Sequence, residues 1–319
     1  MDDFYGKLAV ITGGGSGIGQ QLACELVSLG CDVAICDINK AGLIETERLC
    51  KARALGRRKI TSYVCDVTSE SDIINFRDSL LKNHKTNHIN LLFNSAGIAG
   101  GGSIIADSRT DWEKTFNVNW LGVYYAIRVF LPLLIRSPKG HIVNVSSVSG
   151  FWASRGPRIP LTAYSAAKFA VKGLSEALIT DLKVHAPHVR VSVVMPGHVG
   201  TPFLINSNRI LGNSDVKEMG STELAVIRKK MSMQDVSIEK MSDSELRNFI
   251  HNIRVGYRDE APLTANQAAK LVLDGVCLNK WRILLGDDAV CIDGLVRKFP
   301  ELAYDEEFYE TVVRESTSL

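Results

Sequence analysis

Short apolar runs recur along the chain: LAVIT (8 to 12), DVAIC (32 to 36), ITSYVC (60 to 65), INLLFN (89 to 94), HIVNVS (141 to 146), VRVSVVM (189 to 195) and RILLG (282 to 286). Their cores are nearly continuous in apolar residues, the pattern of a strand buried on both faces rather than one. Helix-period segments such as IGQQLACELVSLG and LIETERLCKARAL separate most of them. Strand alternating with helix predicts βαβ units and an α/β fold, a doubly wound parallel sheet of about seven strands flanked by helices.

Two stretches depart from this alternation. Residues 202–256 keep a helical period but are rich in polar positions, as in VKEMGSTELAVIRKKM and SDSELRNFIHNI. A long excursion beside the carboxyl ends of the strands usually covers a site, so the expectation is a substrate lid. Residues 287–319 hold AVCIDGLVRKF and DEEFYETVVRE, a C-terminal helical extension for packing or subunit contact. Both fit within one domain spanning 1–319.

Of the 319 residues, 45% are hydrophobic and 23% charged, with a formal net charge of +2, so nothing points to a nucleic-acid partner. The seven cysteines form no CxxC pair and several fall inside predicted strands or helices, which suits free thiols in a reducing, cytoplasmic setting. His185 and His188 flank a proline in HAPH, and no metal is expected there. The most apolar long stretch, GVYYAIRVFLPLLIR, is interrupted by Arg128 and Pro132, so no membrane span is expected. No leader is expected before GKLAVITGG, because an apolar strand starts almost at once.

The first candidate chemistry follows the first strand. TGGGSGIG (Thr12 to Gly19) opens a helix, and glycines there let backbone amides and the helix N-terminus approach a pyrophosphate. Its glycines at 13, 17 and 19 read TGxxxGxG rather than GxGxxG. Asp37 ends the second strand, where a carboxylate accepts bonds from both adenosine ribose hydroxyls and repels a 2'-phosphate. NAD is therefore expected over NADP; Asp37 as a plain turn residue is the structural alternative.

A second candidate is TAYSAAKFAVKGL, with Tyr164 four residues before Lys168. Positions i and i+4 share a helix face, and a cation near a phenol lowers its pKa from about 10. That suits a general acid or base; an ordinary amphipathic helix has the same spacing.

With both motifs on one chain, the sequence resembles the short-chain dehydrogenase/reductase family, which implies a Rossmann-like sheet. CDVT, NSAG, NVN, NVSS and PGHVGT appear in the family's order, between residues 6 and 202, and the last strand resumes at 281. The resemblance implies a dinucleotide held by Gly13, Gly15, Ser16, Gly17, Ile18, Gly19, Asp37, Asp66, Val67, Asn94, Ala96 and Gly97. Pro196, Gly197, Val199 and Thr201 complete that set, with Tyr164 and Lys168. It implies a catalytic set of Asn119, Ser147, Tyr164 and Lys168, in which Tyr164 exchanges the proton, Ser147 bonds the substrate oxygen and Asn119 holds a water. A small-molecule alcohol or ketone and further copies of the chain, as homodimer or homotetramer, are the expected partners.

Ser95 stands where the family has a second asparagine, and Ser147 precedes Tyr164 by 17 positions rather than about 13, with Ser146 and Ser149 as competing choices. The extra length, FWASRGPRIPLT, suggests a longer loop at the substrate mouth. Phe151, Trp152 and Phe203 are the expected substrate contacts, Pro157, Ile159, Pro160, Leu204 and Ile205 adding to an apolar mouth. Arg155, Arg158 and Arg209 are the candidates for holding a carboxylate. The resulting reading is an NAD-dependent secondary alcohol dehydrogenase or ketoreductase. An NADP-dependent carbonyl reductase and a non-catalytic cofactor-binding sensor are the rivals.

Overall fold

The computed structural model describes residues 3–154, 156, 159–233 and 235–317. Its strands are β1 (Leu8–Thr12), β2 (Asp32–Asp37), β3 (Ile60–Val64), β4 (Leu91–Asn94), β5 (Gly140–Val145), β6 (Val189–Pro196), β7 (Val199–Gly200), β8 (Leu263–Thr264) and β9 (Arg282–Leu285). The helices are α1 (Gly17–Ser28), α2 (Lys40–Arg53), α3 (Glu70–His84), α4 (Arg109–Ile135), α5 (Thr162–His185), α6 (Phe203–Ile210), α7 (Ser221–Ser232), α8 (Asp243–Asp259), α9 (Ala265–Cys277), α10 (Asp287–Lys298) and α11 (Glu306–Thr317).

Seven strands form one parallel sheet in the order β3-β2-β1-β4-β5-β6-β9. The fold is Rossmann-like. Strand order reverses between β1 and β4, and a crevice opens at the carboxyl ends of strands where that happens. One sheet face buries Ile11, Val33, Ile35 and Phe93 under α1, α2 and α9, and the other buries Val10, Leu92 and Ile142 under α3, α4 and α5. Each such side chain contributes about 1.5 to 3 kcal/mol by leaving water. Several helices begin where the sequence supplies a cap. Ser69 accepts from Asp72 N and Ser108 from Asp111 N, while Ser242 with Glu245 and Thr264 with Gln267 form reciprocal capping boxes.

The expected interruption at Pro132 does not occur. α4 runs through it for 27 residues, because a proline in the last turn removes one backbone bond while Phe130, Leu133 and Leu134 stay buried beside it. By length and composition this helix is one that could cross a membrane, and half of its most apolar window is buried inside the protein.

The polar excursion is a helical insert with its own small core of Val216, Met219, Leu224, Ile238, Leu246 and Ile250. β7 and β8 pair in parallel and hold its two ends together at the end of β6. α10 and α11 pack Ala289, Ile292, Leu295, Phe308 and Val312 against Val148 and Trp152.

Candidate active site

A cavity of about 720 Å³ lies at the carboxyl ends of β1, β2, β4 and β6. Gly13, Ser16, Gly17 and Ile18 line it from the first turn and the start of α1, Asp37 from the end of β2, Asp66 and Val67 from the turn after β3, and Ala96 and Gly97 from the turn after β4. Pro196, Gly197, Val199 and Thr201 form the wall beyond β6. Gly13 has φ +69°, and a Cβ on it would stand 2.7 Å from the Ala96 backbone, so only glycine keeps these two turns together. Thr12 Oγ1 joins them by accepting from Ser95 N at 3.2 Å and Ala96 N at 3.3 Å.

Other expected contacts stand behind this wall. Gly19 packs against the Gly13 carbonyl, and Gly15 N donates to Asp37 Oδ2 at 3.0 Å. Asp37 Oδ1 accepts from Asn39 N at 2.8 Å, so two amides aim the carboxylate. Burial pushes its pKa above the ordinary value, and the amides of Asn39, Gly15 and Ile38 oppose that rise. Asn94 does not line the cavity. Its Nδ2 donates to Asn144 Oδ1, and Asn144 Nδ2 to Ser175 Oγ, a buried amide chain that braces β4 against β5 and α5. Its expected cofactor contact becomes a supporting role, because the side chain points across the sheet.

Tyr164 lines the cavity and Lys168 lies beneath it, with Nζ 5.5 Å from the phenol ring centre. Lys168 is 4% exposed, and its Nζ donates to Val145 O at 3.0 Å. No carboxylate pairs with it among the described residues, and burial pushes the ammonium down to about 7. Ser146 and Ser147 both reach the cavity wall. Ser146 Oγ donates to Lys168 O at 2.8 Å, whereas Ser147 Oγ accepts from Ser149 N at 3.1 Å and keeps its own proton to donate. Ser149 is fully buried outside the wall.

Asn119 is fully buried, and its Nδ2 donates to Ile98 O and Thr115 O, both at 2.8 Å. Its Oδ1 is a buried acceptor without a partner. A Cβ built on Gly97 would stand 2.8 Å from that oxygen and 3.5 Å from Lys168 Nζ, so both atoms face one small space. An unused acceptor beside a desolvated ammonium, under a glycine cradle, fits a dinucleotide with ribose hydroxyls and pyrophosphate.

With that geometry in place, sequence comparison decides the family. The short-chain dehydrogenase pattern matches residues 7–210. The chain belongs to the short-chain dehydrogenases. It is 31% identical to the protein named "putative oxidoreductase SadH" of Mycobacterium tuberculosis over 297 residues, 93% of this chain and 92% of that protein. It is 32% identical to human estradiol 17-beta-dehydrogenase 11 over 209 residues, covering 65% of this chain and 66% of the relative. A short-chain dehydrogenase/reductase from Burkholderia phymatum, solved in complex with NAD, superposes with TM-score 0.74 at 27% identity over 96% of this chain and 98% of that one. Solved neighbours include chains with NAD and with NADP.

In this short-chain dehydrogenase Phe151 and Trp152, at the start of the loop after Ser147, do not serve the mouth as expected. Trp152 is 3% exposed, its indole N–H donates to Ala303 O at 2.6 Å, and its ring lies 5.9 Å from that of Phe308. Phe151 packs on the same cluster, and neither residue lines the cavity. The loop and the C-terminal extension each carry apolar surface, and they bury it on each other. Arg155, Pro157 and Arg158 lie outside the described residues. Phe203 does line the cavity, its ring centre 6.0 Å from that of Tyr164, as does Arg209. His185 sits 3.7 Å from Asp181, and His188 Nε2 bonds Ile135 O.

Sequence reading missed Lys40, Lys114, Asn206 and Tyr257 in the wall. Lys40 lies three residues past Asp37, at the start of α2. Asn206 was legible only as Phe203 plus one helical turn. Tyr257 and Lys114 carried no local signal.

Proposed function

We propose that the chain is an NAD-dependent oxidoreductase that interconverts a secondary alcohol and a ketone on a bulky apolar substrate. One observation carries this reading: Tyr164 stands in the cavity wall directly over a buried lysine, with the Ser147 hydroxyl in the same wall. Bound in the cavity, the nicotinamide cofactor supplies the hydride acceptor. Tyr164 takes the alcohol proton in oxidation and returns it in reduction. Ser147 donates to the substrate oxygen as charge grows there. Lys168 favours the phenolate from below and donates to ribose hydroxyls, and Asn119 Oδ1 accepts from a water that carries the proton outward.

Phe203 packs on the Tyr164 ring, Ile98, Val118 and Tyr257 add apolar lining to the cavity, and the name of the relative estradiol 17-beta-dehydrogenase 11 agrees with a bulky alcohol. Asp37 supports NAD. Lys40 favours the second reading, NADP, because it brings a cation into the same wall. We further propose a cytoplasmic protein, supported by the five buried thiols of Cys24, Cys31, Cys36, Cys50 and Cys65, and a homodimer or homotetramer. Exposed Tyr124 and Ile135 on α4 and Phe169 on α5 support the self-association. The insert is proposed as a lid. A panel of secondary alcohols and ketones run with both nucleotides tests the reading. Turnover of bulky secondary alcohols with a higher kcat/KM for NAD supports it. No turnover of any member with either nucleotide, or a preference for NADP, overturns it.

A further inference from the structure

α6 lies across the cavity and turns one face toward it. Phe203, Asn206, Arg209 and Ile210 all line the wall, at the spacing of a single helical stripe. Each end and the middle are tied to a different part of the sheet's upper rim. Phe203 meets the Tyr164 ring, Asn206 Nδ2 donates to Ser16 Oγ at 3.1 Å, Ser207 Oγ accepts from Ala99 N at 2.8 Å, and Lys114 Nζ donates to Ile210 O. The Asn206 contact is informative because Ser16 sits in the glycine turn at the N-cap of α1. Its hydroxyl makes no capping bond there, and reaches α6 instead.

Arg209 follows Asn206 by one turn, about 4.5 Å further along the helix axis. It is exposed, and no hydrogen bond or ion pair holds its guanidinium among the described residues. The carboxylates of the wall, Asp37 at the end of β2 and Asp66 in the turn after β3, make no ion pair with Arg209 among the described residues. An unpaired guanidinium facing a cavity beside a glycine turn, one helical turn from the Asn206–Ser16 bond, is suited to an oxyanion with several acceptor oxygens.

Resting on the dinucleotide reading of this cavity, we infer that α6 forms the second wall of the phosphate site. Arg209 contacts the cofactor pyrophosphate beside the glycine turn, and Asn206 positions Ser16 and the helix for that contact. The insert thereby reads the cofactor as well as the substrate. The same guanidinium chemistry would suit a substrate carboxylate, but the Asn206–Ser16 bond ties this helix face to the phosphate turn, which favours the pyrophosphate.

The test compares the affinities of wild type, Arg209→Ala and Asn206→Asp for NADH, ADP-ribose and adenosine by calorimetry, with folding checked by thermal melting. Arg209→Ala is expected to weaken NADH and ADP-ribose about tenfold, equivalent to about 1.4 kcal/mol, and to leave adenosine within about twofold. Asn206→Asp, which sets a carboxylate beside the phosphate turn, is expected to weaken the first two ligands further while adenosine again holds. Equal weakening of all three ligands would mean general damage to the pocket and overturn the inference. Unchanged NADH affinity with a raised KM for an acidic substrate would assign Arg209 to the substrate and overturn it too. A wild type that binds neither NADH nor ADP-ribose overturns the dinucleotide reading itself, a result distinct from the others.

Discussion

Replacing Lys168 by methionine removes a buried ammonium while nearly keeping its volume, and the ligand-free protein is expected to gain stability as it loses its chemistry. Burial lowers the lysine from an ordinary 10.5 to about 7. That drop corresponds to about 5 kcal/mol of cost whenever the group is held charged. Methionine also strands the Val145 carbonyl that Nζ now satisfies, at about 1 to 3 kcal/mol. The net gain is about 2 to 4 kcal/mol. For 319 residues at about 2.1 cal/mol/K each, this raises Tm by about 3 to 6 °C.

The pH dependence is the sharper part of the same prediction. Between about 7 and 10.5 the unfolded wild type holds a proton that the folded protein does not, so wild-type stability rises with pH across that window. The variant lacks this gain. Its advantage should be largest at or below pH 7 and close by about pH 9, as read by calorimetry or dye-based melting of the ligand-free proteins. A variant less stable than wild type at pH 6.5, with a gap that does not change with pH, would refute the claim that Lys168 is a desolvated charge.

Other consequences follow from single residues. Burial also depresses His141 to about 3, beside Ser192 Oγ at 2.8 Å. The unfolded chain therefore binds the extra proton, and stability falls as pH drops below about 6.5, by about 2 kcal/mol at pH 5. His141→Asn should flatten the melting curve against pH between 5 and 7, and an unchanged slope would contradict this. Trp152→Ala should cost about 3 to 5 kcal/mol, by emptying the contact with α11, yet leave KM for a small alcohol unchanged once folding is secured at low temperature. A KM effect without a stability effect would return Trp152 to the substrate site. Asp37→Ser with Ile38→Arg should narrow any preference of kcat/KM for NAD over NADP, because it removes a like charge and adds a cation where a 2'-phosphate would stand.

The parts of the site that were legible in the sequence are those whose physics is local. The glycine turn, the carboxylate ending β2 and the i+4 pair of Tyr164 and Lys168 each depend on neighbours within a few residues. The alternating apolar runs also specified the parallel sheet, since strands buried on both faces need helices between them. What was not legible depends on contacts made at long range. Trp152 reads as a mouth residue until Ala303, 151 positions later, accepts its indole N–H. Asn94 reads as a cofactor contact until its amide turns to Asn144. Pro132 reads as a break, but its position in the last turn of α4 spares all but one backbone bond. The wall residues of the insert depend on how α6 lies across the cavity, which no period in residues 202–256 encodes.

The central claim is that Tyr164 exchanges the proton above Lys168 during hydride transfer. Tyr164→Phe removes only the hydroxyl, so the decisive measurement pairs its kcat on the best alcohol of the panel with its affinity for NADH. The account predicts that kcat falls at least a hundredfold, the scale of a lost general acid or base, while the Kd for NADH stays within about threefold of wild type. Near-normal turnover in the phenylalanine variant would contradict it.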